Sequence, residues 1–241
     1  NKTIKFVNAN TFVEDPLRAL RAAQFSARFN MTIDESVINL SKNFDLTNLP
    51  KSRIAEEFNK GLMKSSKPSI MFMNLHKMGL LKQLTIIDGL NNVPQNPEFH
   101  PEGSVFNHTM QAIDLAAQIK NDATDPRKFM FAVLVHDIGK LTTTKVVNKK
   151  IVSYKHAEES ARLAPLALKN LVTDKDTIKF ASALAQNHMK MHQLLNMKPT
   201  KLRKMMVTEN MNDLLLLNVA DNSKGGRTVS EAKPRHNLMK N

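Results

Sequence analysis

Cysteine is absent from the 241 residues, and with it go disulfides, thiolate metal ligands and thiol nucleophiles. Any metal held by side chains must be held by His, Asp and Glu. Tryptophan is also absent and tyrosine occurs once, at Tyr154, so base stacking would fall to Phe, His and Arg. Glycine is scarce, at 7 residues. Few segments alternate with period two and most apolar positions recur at three and four, so the expected fold is all-α. No apolar run approaches the roughly 20 residues of a membrane span, and NKTIKFVNANTF lacks the apolar core of a signal peptide. A cytoplasmic protein with no membrane partner is expected.

What is plentiful is positive charge. A formal net charge of +13 and a pI near 9.9 favour polyanionic partners, with nucleic acid the leading candidate. A hydrophobic fraction of 41% and a mean hydropathy of -0.34 describe a soluble globular chain with a real core.

Near the start, DPLRALRAAQFSARF places Asp15 to cap a helix over 15–29, with Pro16 in its first turn and Leu17, Leu20, Ala23 and Gln24 at helical spacing. Shorter helices are expected over Glu35 to Phe44 and Ser52 to Met63, and in MFMNLHKMGLL up to Gly79. NNVPQNPEFHPEGS, with three prolines and a glycine, is the best linker or boundary in the chain. Beyond it, VFNHTMQAIDLAAQIK puts His108, Ala112, Leu115 and Ile119 on one inward stripe. Asp125 and Pro126 start the helix carrying FAVLVHDIGK, with Gly139 as its terminator. The β-branched residues around Asn148 suggest a small hairpin or a loop over the site. Helices follow at about Glu158 to Leu171, Lys175 to Met189, Lys198 to Val207 and Met211 to Asn222.

A buried His alone signals little. The adjacent His136 and Asp137, ending an apolar run, are harder to explain, because a buried carboxylate is costly unless a positive group compensates it. His156 opens a helix, His188 closes one and Asp221 ends LLLLNVAD, so each lies at the end of an apolar helical stretch. All could converge on one divalent cation. Without thiolates the donors suit Mn, Fe, Ni, Co, Zn or Mg. Such an ion polarises a phosphoryl oxygen and lowers the pKa of water.

The ordered pattern His, His-Asp, His, His, Asp resembles the HD superfamily of metal-dependent phosphohydrolases, an all-helical fold with these residues at its centre. The resemblance implies His108, His136, Asp137 and Asp221 as primary metal ligands. It also implies His156 and His188 as ligands of a second metal or contacts of the phosphate. Lys140 is close enough to neutralise phosphate, and His136, Asp137 and Lys140 form the expected catalytic set. His192 could share the face of His188, with a solvent-facing role the simpler expectation.

HPEG ahead of His108, and TFVEDPLRALRAAQFSARF at the start, resemble the bacterial tRNA nucleotidyltransferase and poly(A) polymerase family. That family's neck motif implies Asp15 and Arg18 as a nucleotide template, with Glu14 beside them and Arg21 one turn on. Residues 1–92 would then form a helical neck and RNA-binding region, and 93–241 an HD-type helical domain. Gln24 stands where the family often has a third arginine, and Ser104 where an acid often follows HPEG. The sequence contains no glycine-rich phosphate loop followed by paired aspartates, so these residues alone are not expected to add nucleotides.

The resemblances imply a metal-dependent phosphohydrolase of RNA ends, a 2′,3′-cyclic phosphodiesterase or phosphatase acting at the tRNA 3′ terminus. One alternative is the tRNA-binding half of a split nucleotidyltransferase that needs a separate head chain. The others are a degenerate RNA-binding scaffold and a nucleotide hydrolase. Lys145, Lys149, Lys150 and Lys155, with Lys198, Lys201, Arg203 and Lys204, could hold an acceptor arm through phosphates or form a solvated face.

Overall fold

The computed structural model describes residues 2–191, 200 and 210–222. Apart from Thr200, the helix expected at 198–207 lies outside them, as do His192, Lys198, Lys201, Arg203 and Lys204. A two-residue strand β1 (Thr3–Ile4) pairs in parallel with β2 (Thr32–Ile33), framing α1 (Ala9–Glu14) and α2 (Leu17–Phe29). Asp15 Oδ1 accepts the Leu17 N–H at 3.1 Å and starts α2 as expected. Asn30, in the left-handed conformation at φ 49°, ends it. There follow α3 (Glu35–Ser41), α4 (Lys51–Lys64), α5 (Ser69–Lys77) and α6 (Leu81–Leu84), then a 3₁₀ turn over Ile86–Asn92. Gly79, at φ +68°, stops α5 where a side chain would be strained.

The second part opens with α7 (Val105–Ile119), capped by Ser104, whose side chain accepts from the Asn107 N–H. Next come α8 (Pro126–Val135), capped by Asp125, and the short α9 (Lys140–Thr143). The expected hairpin is present as β3 (Thr144–Val147) and β4 (Lys150–Ser153). Asn148 and Lys149 both have positive φ, 50° and 62°, the pattern of a type I′ turn. Helices α10 (His156–Leu168), α11 (Lys175–Asn187) and α12 (Met211–Asp221) complete the described fold.

Apolar faces from both parts form one continuous core, from Phe12 and Leu20 through Phe58 and Phe72 to Phe131, Leu168 and Leu216. Helix α8 is central, with every residue from Phe129 to Val135 buried. Burying each large side chain there contributes roughly 1.5–3 kcal/mol. Polar ties fix the packing. Arg127, on α8, donates to Asp174 at 2.9 Å, Thr177 at 2.8 Å and Asn59 at 3.2 Å, joining α4, α8 and α11. Lys120 donates to the Leu62 and Met63 carbonyls and closes the C-terminal end of α4.

One expectation needs correcting. Gly139 does not end α8, which stops at Val135, and its φ of -65° is open to any residue. Its purpose is close approach. A Cβ there would fall 2.2 Å from the His156 carbonyl oxygen and 2.5 Å from the Ser160 amide nitrogen, both backbone atoms. The Gly139 N–H donates to Ser160 Oγ at 2.9 Å, so the start of α10 rests on the turn after α8.

Candidate metal centre

The chain ends of α7, α8, α10, α11 and α12 deliver their polar residues to one buried point. His108 sits one turn into α7; His136 and Asp137 follow the last residue of α8. His156 opens α10, His188 follows α11 and Asp221 ends α12. His108, His136, Asp137, His188 and Asp221 are buried, and His156 is partly so.

The four imidazoles share one orientation. Nδ1 bonds to the Val133 carbonyl in His136 at 2.8 Å, to that of Ser153 in His156 at 2.8 Å and to that of Ala185 in His188 at 2.6 Å. In His108 it bonds to Glu102 Oε1 at 2.9 Å. An imidazole that donates through Nδ1 keeps its Nε2 lone pair for a ligand. The Nε2 atoms face two carboxylates. His108 lies 2.9 Å and His136 3.5 Å from Asp221 Oδ1, while His136 is 3.5 Å from Asp137 Oδ2. His156 and His188 lie 3.3 and 3.7 Å from Asp137 Oδ1.

His108, His136, Asp137 and Asp221 can each offer a donor atom within 4.8 Å of the others, and Asp137, His156 and His188 form a second such group sharing Asp137. His136 Nε2 and Asp137 Oδ1 are buried without a hydrogen-bond partner. Orphaned acceptors among nitrogen and oxygen donors fit a divalent cation, or two.

Electrostatics agree. Burial opposes the charge on Asp137, but the Lys140 ammonium, with His136, His156 and His188, holds its carboxyl well below the usual range. Burial also pushes His188 down to about 4, leaving it neutral. His108 goes the other way: Asp221 and Glu102 outweigh its burial and raise it to about 9. Without a cation, the positive charge these carboxylates draw in is a proton on His108 Nε2, facing Asp221 Oδ1 at 2.9 Å, in the place a metal would take.

Lys140 Nζ is 2.7 Å from Asp137 Oδ2 and donates to Gln95 Oε1 at 2.9 Å. It stands at the foot of an open cleft of about 490 Å³ that also meets His100, Lys150, Ser153, His156, His188 and Asp221. The segment 93–104 is a loop, as its prolines indicated, and it folds over this cleft as one wall, with Pro94 bridged to Ser104. Hairpin β3–β4 forms the other wall. Lys145, Lys149, Lys150 and Lys155 are exposed on or beside it. Glu102 and Gln95, both engaged with site residues, were not singled out from the sequence; HPEG stood there only as a family marker.

The residues that the resemblance offered as a template lie at the start of α2, where the Arg18 N–H donates to the Asp15 carbonyl at 2.9 Å. Glu14 is exposed, and Asp15 caps α2 and pairs with Arg53 at 3.3 Å. Arg18 has a buried Nη1 without a partner, beside a pocket of about 220 Å³ that Lys5, Phe6, Phe12 and Phe25 help to line.

The HD domain family matches residues 105–231, and a second family, described as the probable RNA and SrmB-binding site of polymerase A, matches residues 30–85. A multifunctional CCA protein of Chromobacterium violaceum is 35% identical over 199 residues, 79% of this chain and 46% of its own. One from Acinetobacter baumannii is 34% identical over 208 residues, 83% and 48% respectively. The chain thus spans about half the length of these relatives. Among solved structures, a CCA-adding enzyme in complex with ATP has the same fold, with a TM-score of 0.56 at 17% identity over 100% of this chain and 51% of that one.

Proposed function

The chain belongs to the HD-domain family, and from that premise we propose that it is a metal-dependent phosphohydrolase of RNA ends, cleaving the 2′,3′-cyclic phosphate of a tRNA 3′ terminus. The supporting observation is the convergence of four imidazole Nε2 atoms on Asp137 and Asp221, two of the donor atoms orphaned, at the foot of an open cleft. His108, His136, Asp137 and Asp221 hold the first cation, and Asp137, His156 and His188 a second. A bound divalent ion supplies polarisation of the phosphoryl oxygen and an acidified water at neutral pH.

The remaining work belongs to the chain. Lys140, pinned between Asp137 and Gln95, offsets phosphate charge at the floor of the cleft. Lys150 and its neighbours on the hairpin hold backbone phosphates at the rim. Hydrolysis adds one water across a P–O bond of the cyclic diester; its oxygen stays on phosphorus and a proton goes to the released ribose oxygen. Residues 1–92 serve as an RNA-binding neck and 93–241 as the hydrolase. Purified protein with Mn²⁺ or Ni²⁺ should open 2′,3′-cyclic AMP, and Asp137→Ala should abolish this. Undiminished activity in that variant rules the site out.

A second reading is favoured by Arg18, whose unpartnered Nη1 borders the neck pocket. Here Asp15 and Arg18 read an incoming base for a nucleotidyltransferase head supplied from outside these residues, while the rest of the chain holds tRNA. Restored CCA addition on mixing with a separate head chain supports this. No restoration, with no binding of CTP or ATP, removes it.

A further inference from the structure

We propose that Glu102 is a positioning residue that orients His108 towards the cation and His100 towards the substrate through a single carboxylate oxygen. The loop ahead of α7 would thereby couple the metal side of the cleft to its outer wall. The inference rests on the metal-centre reading above.

The local sequence explains the placement. Ser104 caps α7, and Gly103, at φ +91°, turns the chain just before it, so the residue preceding that turn folds back over the first helical turn. The Asn107 side chain donates to the Glu102 carbonyl at 2.9 Å and pins the fold-back. Glu102's side chain is only 1% exposed. Its Oε1 accepts hydrogen bonds from Nδ1–H of His108 at 2.9 Å and from Nδ1–H of His100 at 2.9 Å.

Three of the four convergent histidines are steadied by backbone carbonyls. His108 is steadied by a charged side chain, which fixes its tautomer and raises the basicity of the nitrogen it offers to a metal. His100 stands edge-on to His108, ring centroids 5.0 Å apart, and lines the cleft near Lys140 and His156. Glu102 Oε2 is buried without a partner. Leaving that oxygen unmatched costs free energy, which the two histidine contacts on Oε1 offset. His100, Glu102 and His108 could themselves hold a cation, but both Nδ1 atoms are already committed to Glu102, which favours a hydrogen-bonded relay.

The test is titration of metal-stripped protein with Mn²⁺, free ion being read by electron paramagnetic resonance, in the wild type, Glu102→Gln, Glu102→Ala and His100→Ala. Loss of the Glu102 charge should weaken Mn²⁺ binding about 10- to 100-fold and alter the ¹⁵N tautomer signature of His108. His100→Ala should change Mn²⁺ affinity by less than about threefold while raising KM for 2′,3′-cyclic AMP. If Glu102→Ala fails to fold, the isosteric Glu102→Gln carries the comparison. Wild-type affinity with an unchanged His108 signature in Glu102→Gln overturns the proposal and leaves the metal centre standing. No Mn²⁺ uptake by the wild type overturns the metal centre itself, and this inference with it.

Discussion

The two ends of the molecule use charged residues in opposite ways. Around α8 the charged and polar side chains of five helices point inward at each other, and two acceptors remain unused at the focus. Around α2 the acidic residues that resemble a template are spent locally: Asp15 caps a helix and pairs with Arg53, and Glu14 faces solvent. A site complete within one chain shows itself by mutual saturation around a gap. On α2 the buried atoms without a partner are Arg18 Nη1 and both polar side-chain atoms of Gln24. The same kinds of residues thus predict different dependence on an outside partner.

The largest expected effect that separates the two regions comes from Asp137→Ala, which should remove Mn²⁺ binding and cyclic-phosphate hydrolysis while leaving tRNA binding in a filter assay in place. Asp15→Ala should leave hydrolysis at the wild-type rate and show in urea unfolding only a cap loss of about 1 kcal/mol. A loss of hydrolysis in Asp15→Ala would break the comparison.

Next in size, Gly139→Ala should destabilise the chain by about 1–3 kcal/mol, because the added methyl meets backbone that cannot step aside. Gly89→Ala is the control, since its methyl meets only the Leu141 side chain, at 3.0 Å, and should cost less. Equal effects in urea titrations would show that α10 shifts freely against the turn.

A smaller effect concerns acid. Asp174 is brought down to about 2: burial opposes its charge, but hydrogen bonds from Thr177 and Arg127 outweigh it. A lowered carboxyl contributes stability that is present above the unfolded value near 3.8 and lost as pH falls towards 2. Arg127→Ala should therefore move the acid limb of the stability curve to higher pH, seen by circular dichroism. The shift is modest because Asp174 is 42% exposed.

Much of this was legible in the residues. Helix α8 begins at Asp125 as its sequence indicated, and the ligand candidates lie at the ends of apolar stretches because those ends are where a helical core can present polar groups. The β-branched flanks of Asn148 allowed a hairpin or a loop, and the hairpin is what forms. What escaped depended on long-range geometry. Gly139 looks like a helix stop in one dimension, and only the approach of α10 reveals its reason. Glu102 lies six residues before His108, and nothing in that spacing says the chain folds back to meet the ring. Gln95 meets Lys140 from 45 positions away.

Lys140 places an ammonium of the chain itself 2.7 Å from Asp137. The carboxylate is therefore never stranded when the cation leaves, in contrast to small metal-stapled domains that collapse on chelation. Stripping this protein with EDTA should silence it without melting it, the thermal midpoint falling only by the amount that lost ligand binding removes. On the proposed reading, supply of the ion would then act as a reversible throttle on turnover, set against a scaffold that waits intact for its return.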